Sequence, residues 1–571
     1  MNIKRRRGVT AGRRRSRWAA AVAVAAALSF VLAACSSHAS DSATAAAATG
    51  SSGTPVEGGT LNVSFWQDNA SLLCVDPFQV YWIEHRSEIE NFTDSLTYQD
   101  PTTGKVIPHL ATSWTISPDG KTYTFKLRSG VTFSNGTPFN AAAVVANVNG
   151  WLATKAAVPG AYGDSYITNV TGAKAINANT VQIDLSAPNA SFLQATSTTN
   201  LAILAPSAYQ VSPAQRCLGK GLIATGPFVL QSYTPNVGLI LTKRQGYDWP
   251  PATDPNQGPA YLNQIDFHYI TDDSVRLGDL LNGTTQIDWP RNPFTVQELD
   301  QIKQNGDVLE SRSLPGVSYP YFANTSPGRP LADPQVRQAI YQATDLQAIA
   351  ETTYGSSYPV VQSVFDTTTP YFKSESSKLG FNLAGAEKIL QADGWTVGAG
   401  GIRVKNGQKL VLIAPQENFV APGVELWQSE LLAAGIDLET PIVQASQLFP
   451  LLDNPAKWDL FGSYLTRADP GALRGIILPG YATLPGLAKA LTAGDASAAT
   501  QIQALFNQAT NTTNTSVTTS AYGQLQDELV SQGLVFPLLE RVQYAGVSPK
   551  VHGFQFTDEA FLDAHSIWIS N

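Results

Sequence analysis

The sequence predicts an α/β protein built of several lobes, and three observations carry that expectation. Strand and helix signals alternate along the chain with no repeat period. More than 500 residues follow the last low-complexity stretch, a length that suits two or three hydrophobic cores rather than one. Both periodicities occur in clean form: Tyr123, Phe125 and Leu127 alternate with polar residues, whereas Val144, Val145 and Val148 recur at helical spacing.

The chain opens with Lys4, Arg5, Arg6, Arg7, Arg13, Arg14, Arg15 and Arg17 and no acidic residue, followed by an apolar run from Ala19 to Ala34 broken only by Ser29. A positive start, an apolar middle and small residues at the end mark an export signal. The run is short for a membrane span, which needs about 20 residues. It closes on Leu32-Ala33-Ala34-Cys35, which resembles a bacterial lipobox. That resemblance implies a signal peptide over 1–34, with Cys35 as a lipidated first mature residue. The chain would then be anchored by its lipid at the extracytoplasmic face of the cell membrane. An ordinary cleaved signal or an uncleaved anchor helix is the alternative, and the arginine pairs leave the Sec and twin-arginine routes both open. Residues 35–57 are expected to form a flexible tether: Ser36 to Gly53 contains no aromatic or large aliphatic residue and cannot build a core.

Without the eight basic residues of the leader, 29 Lys and Arg face 45 Asp and Glu, near −16. Such a surface argues against nucleic-acid binding. With Cys35 lipidated, Cys74 and Cys217 are the remaining thiols, and an even pair in an oxidising compartment reads as a disulfide. Two separate buried thiols are the alternative.

Folded structure is expected from Gly58, with Leu61 to Phe65 as the entering strand. Trp114 to Leu127 reads as a hairpin, because Ser117-Pro118-Asp119-Gly120 supplies turn chemistry between alternating segments. Asn140 offers an N-cap to a helix through Ala141, Val144, Val145 and Val148. Asp333-Pro334 starts another, with Val336, Ala339, Ile340 and Ala343 on one face. Helices over Ala384 to Ala392 and Val424 to Ala434 close on Gly394 and Gly435 as left-handed caps. Leu534 to Leu539 and Ser566 to Ile569 read as late strands.

Several stretches then resemble a family, the extracellular solute-binding proteins of ABC importers of the oligopeptide, dipeptide and nickel group (family 5). Pro108 to Pro138, PHLATSWTISPDGKTYTFKLRSGVTFSNGTP, is similar to the family signature nearly residue for residue. Gly58-Gly59-Thr60-Leu61, Thr225-Gly226-Pro227-Phe228, Arg276 to Asp288 and Asp333 to Asp345 follow in the expected order. The resemblance implies an α/β, two-lobed periplasmic-binding-protein-like fold (type II, cluster C) with an extra subdomain on lobe one. Lobe one would comprise 58–318 and 542–571, with the subdomain at about 82–200, and lobe two 319–541. Also implied are a monomer without enzymatic activity or cofactor, ABC permease subunits as partners, and a short peptide or similar small solute as ligand. Trp114, Tyr123 and Phe125 are expected in the core.

Peptide-binding members carry an aspartate that pairs with the peptide's α-amino group. Aligning Trp458-Asp459 and Asp469-Pro470 with the family puts Thr466 at that position. A buried ammonium without its carboxylate costs several kcal/mol, so another acid, such as Asp469, substitutes or the ligand lacks the amine. Thr466→Asp is then expected to strengthen binding of free-amine peptides. Tyr464 lies one place from the family's pocket tryptophan, and Arg467 has the fork geometry to pair with a ligand carboxylate. Alternatively, Arg467 and Asp469 bond to each other or to backbone. Tyr162, and Trp66 or Gln67 at the end of the first strand, are further candidates for the cleft.

Competing chemistries have little support. No Gly-x-x-x-x-Gly-Lys loop or Gly-x-Ser-x-Gly elbow occurs, and the six histidines include no pair at helical ligand spacing, so no metal site is expected. A chelated metal remains a possible cargo. A surface glycoside hydrolase would need paired carboxylates, for which Asp272 with Asp273 or Glu88 with Glu90 are the nearest approach. A signalling or adhesion lipoprotein that kept the fold without transport is the third alternative.

Overall fold

The computed structural model describes residues 53–66, 73–417, 420–479 and 484–570. The signal peptide, Cys35, most of the tether and Gln67 lie outside the described residues.

A seven-stranded sheet forms the first body. Its strand order is Val308–Ser313, Val542–Val547, Ile287–Trp289, Thr60–Trp66, Gln264–Ile270, Gly238–Lys243 and Phe228–Thr234. The entering strand sits in the middle, where Leu61, Val63 and Phe65 are fully buried. It runs parallel to Gln264–Ile270 and to Ile287–Trp289, so Trp66, Ile270 and Trp289 end at one edge. The crevice beyond the carboxyl ends of parallel strands is where open α/β sheets collect ligands.

The hairpin is present as Ala111–Ile116 paired with Thr122–Leu127, Trp114 opposite Phe125. Thr180–Leu185 and Val170–Asn177 extend it to four antiparallel strands. Tyr123, Phe125 and Leu127 enter a core with Val144, Val148 and Trp151 of the helix Ala141–Ala157, and Trp114 packs against it half-buried. Asn140 caps that helix by accepting from the Ala143 amide at 3.0 Å. Cys74 and Cys217 are disulfide-bonded across 143 residues. The tie is reinforced by a buried ion pair, Arg216 Nε to Asp76 Oδ2 at 2.7 Å.

The second body centres on a three-stranded antiparallel sheet, Leu460–Gly462, Tyr319–Ala323 and Val535–Leu539. The helices Pro334–Ala343, Leu383–Ala392 and Val424–Ala433 surround it. Asp333 caps the first by accepting from the Gln335 amide at 2.9 Å. Gly394 and Gly435 take φ of 94° and 86° just beyond the other two, as glycine permits. A further core gathers Trp458, Phe461, Ile476 and the helices Ala496–Thr510 and Thr515–Ser531. The expected final strand is shorter than its apolar pattern: only Trp568–Ile569 pairs, with Val551–His552. Ser566 instead spends its hydroxyl on Asp254 Oδ1, at 2.6 Å.

The chain passes between the two sheets twice, after Ser313 and before Val542. The passages lie side by side, with the Leu314 amide donating to Arg541 O at 2.8 Å. Where the first arrives, Gly316 pairs with Thr466 of the short strand Leu465–Thr466. Its φ is 126°, and a Cβ there would meet Leu465 O at 2.1 Å, so only glycine permits so close an approach.

Candidate functional site

A cavity of about 830 Å³, including the solvent at its mouth, opens at the carboxyl edge of the parallel strands and is walled from both bodies. One wall is built by Tyr81, Trp82 and Arg86, at the start of the helix Ile83–Glu90, and by Arg291, two residues beyond the strand Ile287–Trp289. The opposite wall carries Tyr319, Tyr354, Tyr358, Tyr464 and Thr466. Glu540 and Arg541, on the second passage between the sheets, complete the enclosure.

The cations of this cavity are held in place before any ligand arrives. Arg291 lies 4.7 Å over the Trp66 ring and 4.5 Å over Trp82, and its Nη1 meets Glu84 Oε1 at 3.0 Å. The fully buried Arg86 donates to Thr466 O at 3.1 Å and stands 3.5 Å from Glu559 Oε2. Arg541 lies 4.3 Å over the Tyr464 ring and donates from Nη1 to Thr466 Oγ1 at 2.5 Å. Unlike the other two, it makes no ion pair among the described residues. The acid of the lining, Glu540, directs Oε1 to the amide and hydroxyl of Thr367, at 2.8 and 2.6 Å. Burial raises its pKa. Burial and the Glu540 charge also push Asp366 up, although its Oδ1 accepts from the Arg541 amide at 2.8 Å.

Of the residues singled out in the sequence, Tyr464 and Thr466 line this cavity. Trp66 stands behind Arg291 as its stacking partner. Tyr162 is buried, and its hydroxyl donates to Thr466 O at 3.1 Å, behind the wall. Arg467 and Asp469 are outside it. Side chains alternate along an extended segment, so when Thr466 faces the cavity Arg467 turns the other way. Arg467 Nη2 meets Asp469 Oδ2 at 2.6 Å, its Nη1 donates to Ser165 Oγ at 2.7 Å, and its guanidinium covers the Tyr166 ring at 3.9 Å. Asp469 Oδ1 accepts from Ser191 Oγ at 2.7 Å. These five residues line a separate cavity of about 750 Å³, including the solvent at its mouth. They tie the hairpin-bearing region to the second body rather than reaching the arginine-lined space.

The sequence reading missed Arg86, Arg291 and Arg541. Only Arg291 carries a local signal, since Pro290-Arg291-Asn292-Pro293 is the turn chemistry expected at a strand's end.

The profile described as "Bacterial extracellular solute-binding proteins, family 5 Middle" matches residues 105–474. The chain belongs to this family. The glutathione-binding protein GsiB of Escherichia coli K12 is 26% identical over 341 residues, 59% of this chain and 61% of that protein. The nickel-binding periplasmic protein of the same strain is 29% identical over 332 residues, 56% and 60% of the two chains. The chain thus spans about three fifths of the length of the curated relatives it matches. The crystal structure of NikA from Brucella suis in complex with Fe(III)-EDTA aligns with a TM-score of 0.76 and 23% identity, covering 90% of this chain and all of that one. The fold is therefore the two-lobed periplasmic binding protein fold, and in this family 5 protein the arginine-lined cavity lies between the lobes. Among the described residues no helix is long and apolar enough to cross a membrane, and no group of His, Cys, Asp and Glu is arranged to hold a metal ion.

Proposed function

We propose that this chain is the lipid-anchored, extracytoplasmic solute-binding component of an ABC importer, which captures a short peptide or similar small solute and presents it to the permease. The supporting observation is the cavity of about 830 Å³ whose walls come from both lobes. A solute lying there touches both lobes only while they are closed. Binding thus draws the open–closed equilibrium toward the form a permease can recognise, and no bond in the solute needs to change. A monomer on the Ser36 to Gly53 tether would keep its cargo concentrated near the membrane. GsiB, a glutathione-binding relative, favours a peptide. The arginines around Thr466 also suit a metal chelate with anionic arms, and NikA binds Fe(III)-EDTA.

Native mass spectrometry of the mature protein provides the test. A small solute should co-purify at one per chain and leave on denaturation. A protein that binds no small solute, or that turns one over, would overturn the transport reading.

A further inference from the structure

We infer that the cargo is held by an anionic group, a carboxylate or another oxyanion, seated on the guanidinium of Arg541, and that a free amine on the cargo is dispensable. The inference rests on the transport reading above and adds to it the chemical class of the ligand.

Among the described residues Arg541 makes no ion pair; the nearest acid, buried Asp366, accepts from its backbone amide at 2.8 Å rather than from its guanidinium. Its ring contact with Tyr464 at 4.3 Å and its bond to Thr466 Oγ1 at 2.5 Å fix its orientation without neutralising it. Arg291 and Arg86 add positive charge from the other lobe, each offset by one acid behind the wall, Glu84 and Glu559. Glu540, the acid of the lining, is turned to Thr367. The field inside the cavity is therefore positive, and it is completed only by an anion. A planar guanidinium with free donors binds an oxyanion in bidentate fashion, whereas an ammonium would meet like charge.

Thr466 explains how this state persists. A carboxylate at that position would stand beside Arg541 Nη1 and pair with it. The hydroxyl accepts one hydrogen bond and leaves the charge available. An aspartate there would thus meet Arg541 before it met any ligand amine, which reverses the gain the sequence alone led us to expect from Thr466→Asp.

The test uses the full mature chain and calorimetric titration with matched probes: tri-alanine, its C-terminal amide, its N-acetyl form, and Fe(III)-EDTA. We expect the acids to bind, the N-acetyl form to retain its affinity, and the amide to lose about 10- to 100-fold. Arg541→Gln and Thr466→Asp should both weaken the acids to a similar extent. Because Thr466→Asp keeps Arg541 paired and stacked, it guards against a misfolded Arg541→Gln. An amide that binds as well as its acid, an N-acetyl form that no longer binds, or acids unaffected by both variants would overturn the anion reading and leave transport standing. Failure of every probe, together with a neutral or purely basic co-purified solute, would also overturn only this inference. Failure of every probe with no co-purified solute at all would remove the transport reading beneath it.

Discussion

Replacing Ser165 and Ser191 with alanine should open the protein without unfolding it. Both serines belong to the hairpin-bearing region, which we assign to lobe one, and each bonds a charged partner on the segment after Leu465–Thr466, which we assign to lobe two: Ser165 Oγ to Arg467 at 2.7 Å and Ser191 Oγ to Asp469 at 2.7 Å. Arg467 and Asp469 belong to one short segment and pair at 2.6 Å, so they stay together when the lobes part. On the proposed opening of the cleft, the serine bonds would be lost while the Arg467–Asp469 pair is kept. A hydrogen bond to a charged group contributes about 1.5–3 kcal/mol, and the lower figure applies because water replaces the serines on opening. Two such bonds amount to about 3 kcal/mol, or roughly 100-fold in the closed-to-open ratio at 1.4 kcal/mol per tenfold. Coupling through the Arg467–Asp469 pair makes the double variant's effect smaller than that sum. Small-angle scattering and inter-lobe fluorescence transfer on the unliganded protein read the ratio directly. Cargo affinity should fall with it, because a ligand that needs the closed form binds in proportion to that form's population. The melting temperature should hold. A double variant with an unchanged closed fraction and affinity within twofold would refute the reasoning. Closure would then rest on Thr466 O, which bonds Arg86 and Tyr162, and on Glu559, which accepts from the Ala468 amide at 3.1 Å.

Removing the disulfide as Cys74→Ala with Cys217→Ala frees a 143-residue loop, worth about 5 kcal/mol on the chain-entropy relation. Because the Asp76–Arg216 pair keeps the local geometry, urea unfolding should show a loss of about 2–5 kcal/mol with cargo binding retained, and a loss below about 1 would contradict this. Burial pushes the Asp288 carboxyl up to about 7 despite the nearby Arg276. Between its unfolded value near 4 and about 7 the native state holds a proton the unfolded chain has released, so this group makes stability fall as pH rises through that window, by at most about 1.4 kcal/mol per unit. Asp288→Asn should flatten that part of the stability–pH profile, and an unchanged slope in the variant would show that another group carries it.

The parts of this protein legible in its sequence are those whose physics is local. The hairpin follows from alternation and a Pro-Asp-Gly turn, the helix starts at Asn140 and Asp333 from their capping chemistry, and the helix ends from Gly394 and Gly435. Even the weakened strand at Ser566 fits that rule, since a distant partner, Asp254, claims its hydroxyl. Within the cleft, Tyr464 and Thr466 were legible because one linear stretch carries them. Arg467 and Asp469 shared that stretch, but the alternation of an extended segment, whose phase the sequence does not reveal, turns Arg467 to the other side. Arg86, Arg291 and Arg541 meet from segments hundreds of residues apart, and only the folded chain brings them together.

That convergence changes what Thr466 signifies. Read along the chain, a missing carboxylate is a loss, an amine anchor that has to be found elsewhere. In three dimensions it is half of a pair, because its hydroxyl contacts the guanidinium of Arg541. Two opposite charges about 4 Å apart near a protein surface attract by about 4 kcal/mol at an effective dielectric of 20. A carboxylate here would spend that attraction inside the protein, and a ligand anion would have to compete with it. With a hydroxyl, Arg541 is oriented by Tyr464 and Thr466 without an ion pair to its guanidinium among the described residues, so on the anion inference the same interaction would appear as affinity for the cargo. The polarity of the cleft thus depends on positions 466 and 541 together. A substitution at either one alone gives a misleading account of what the cleft will accept.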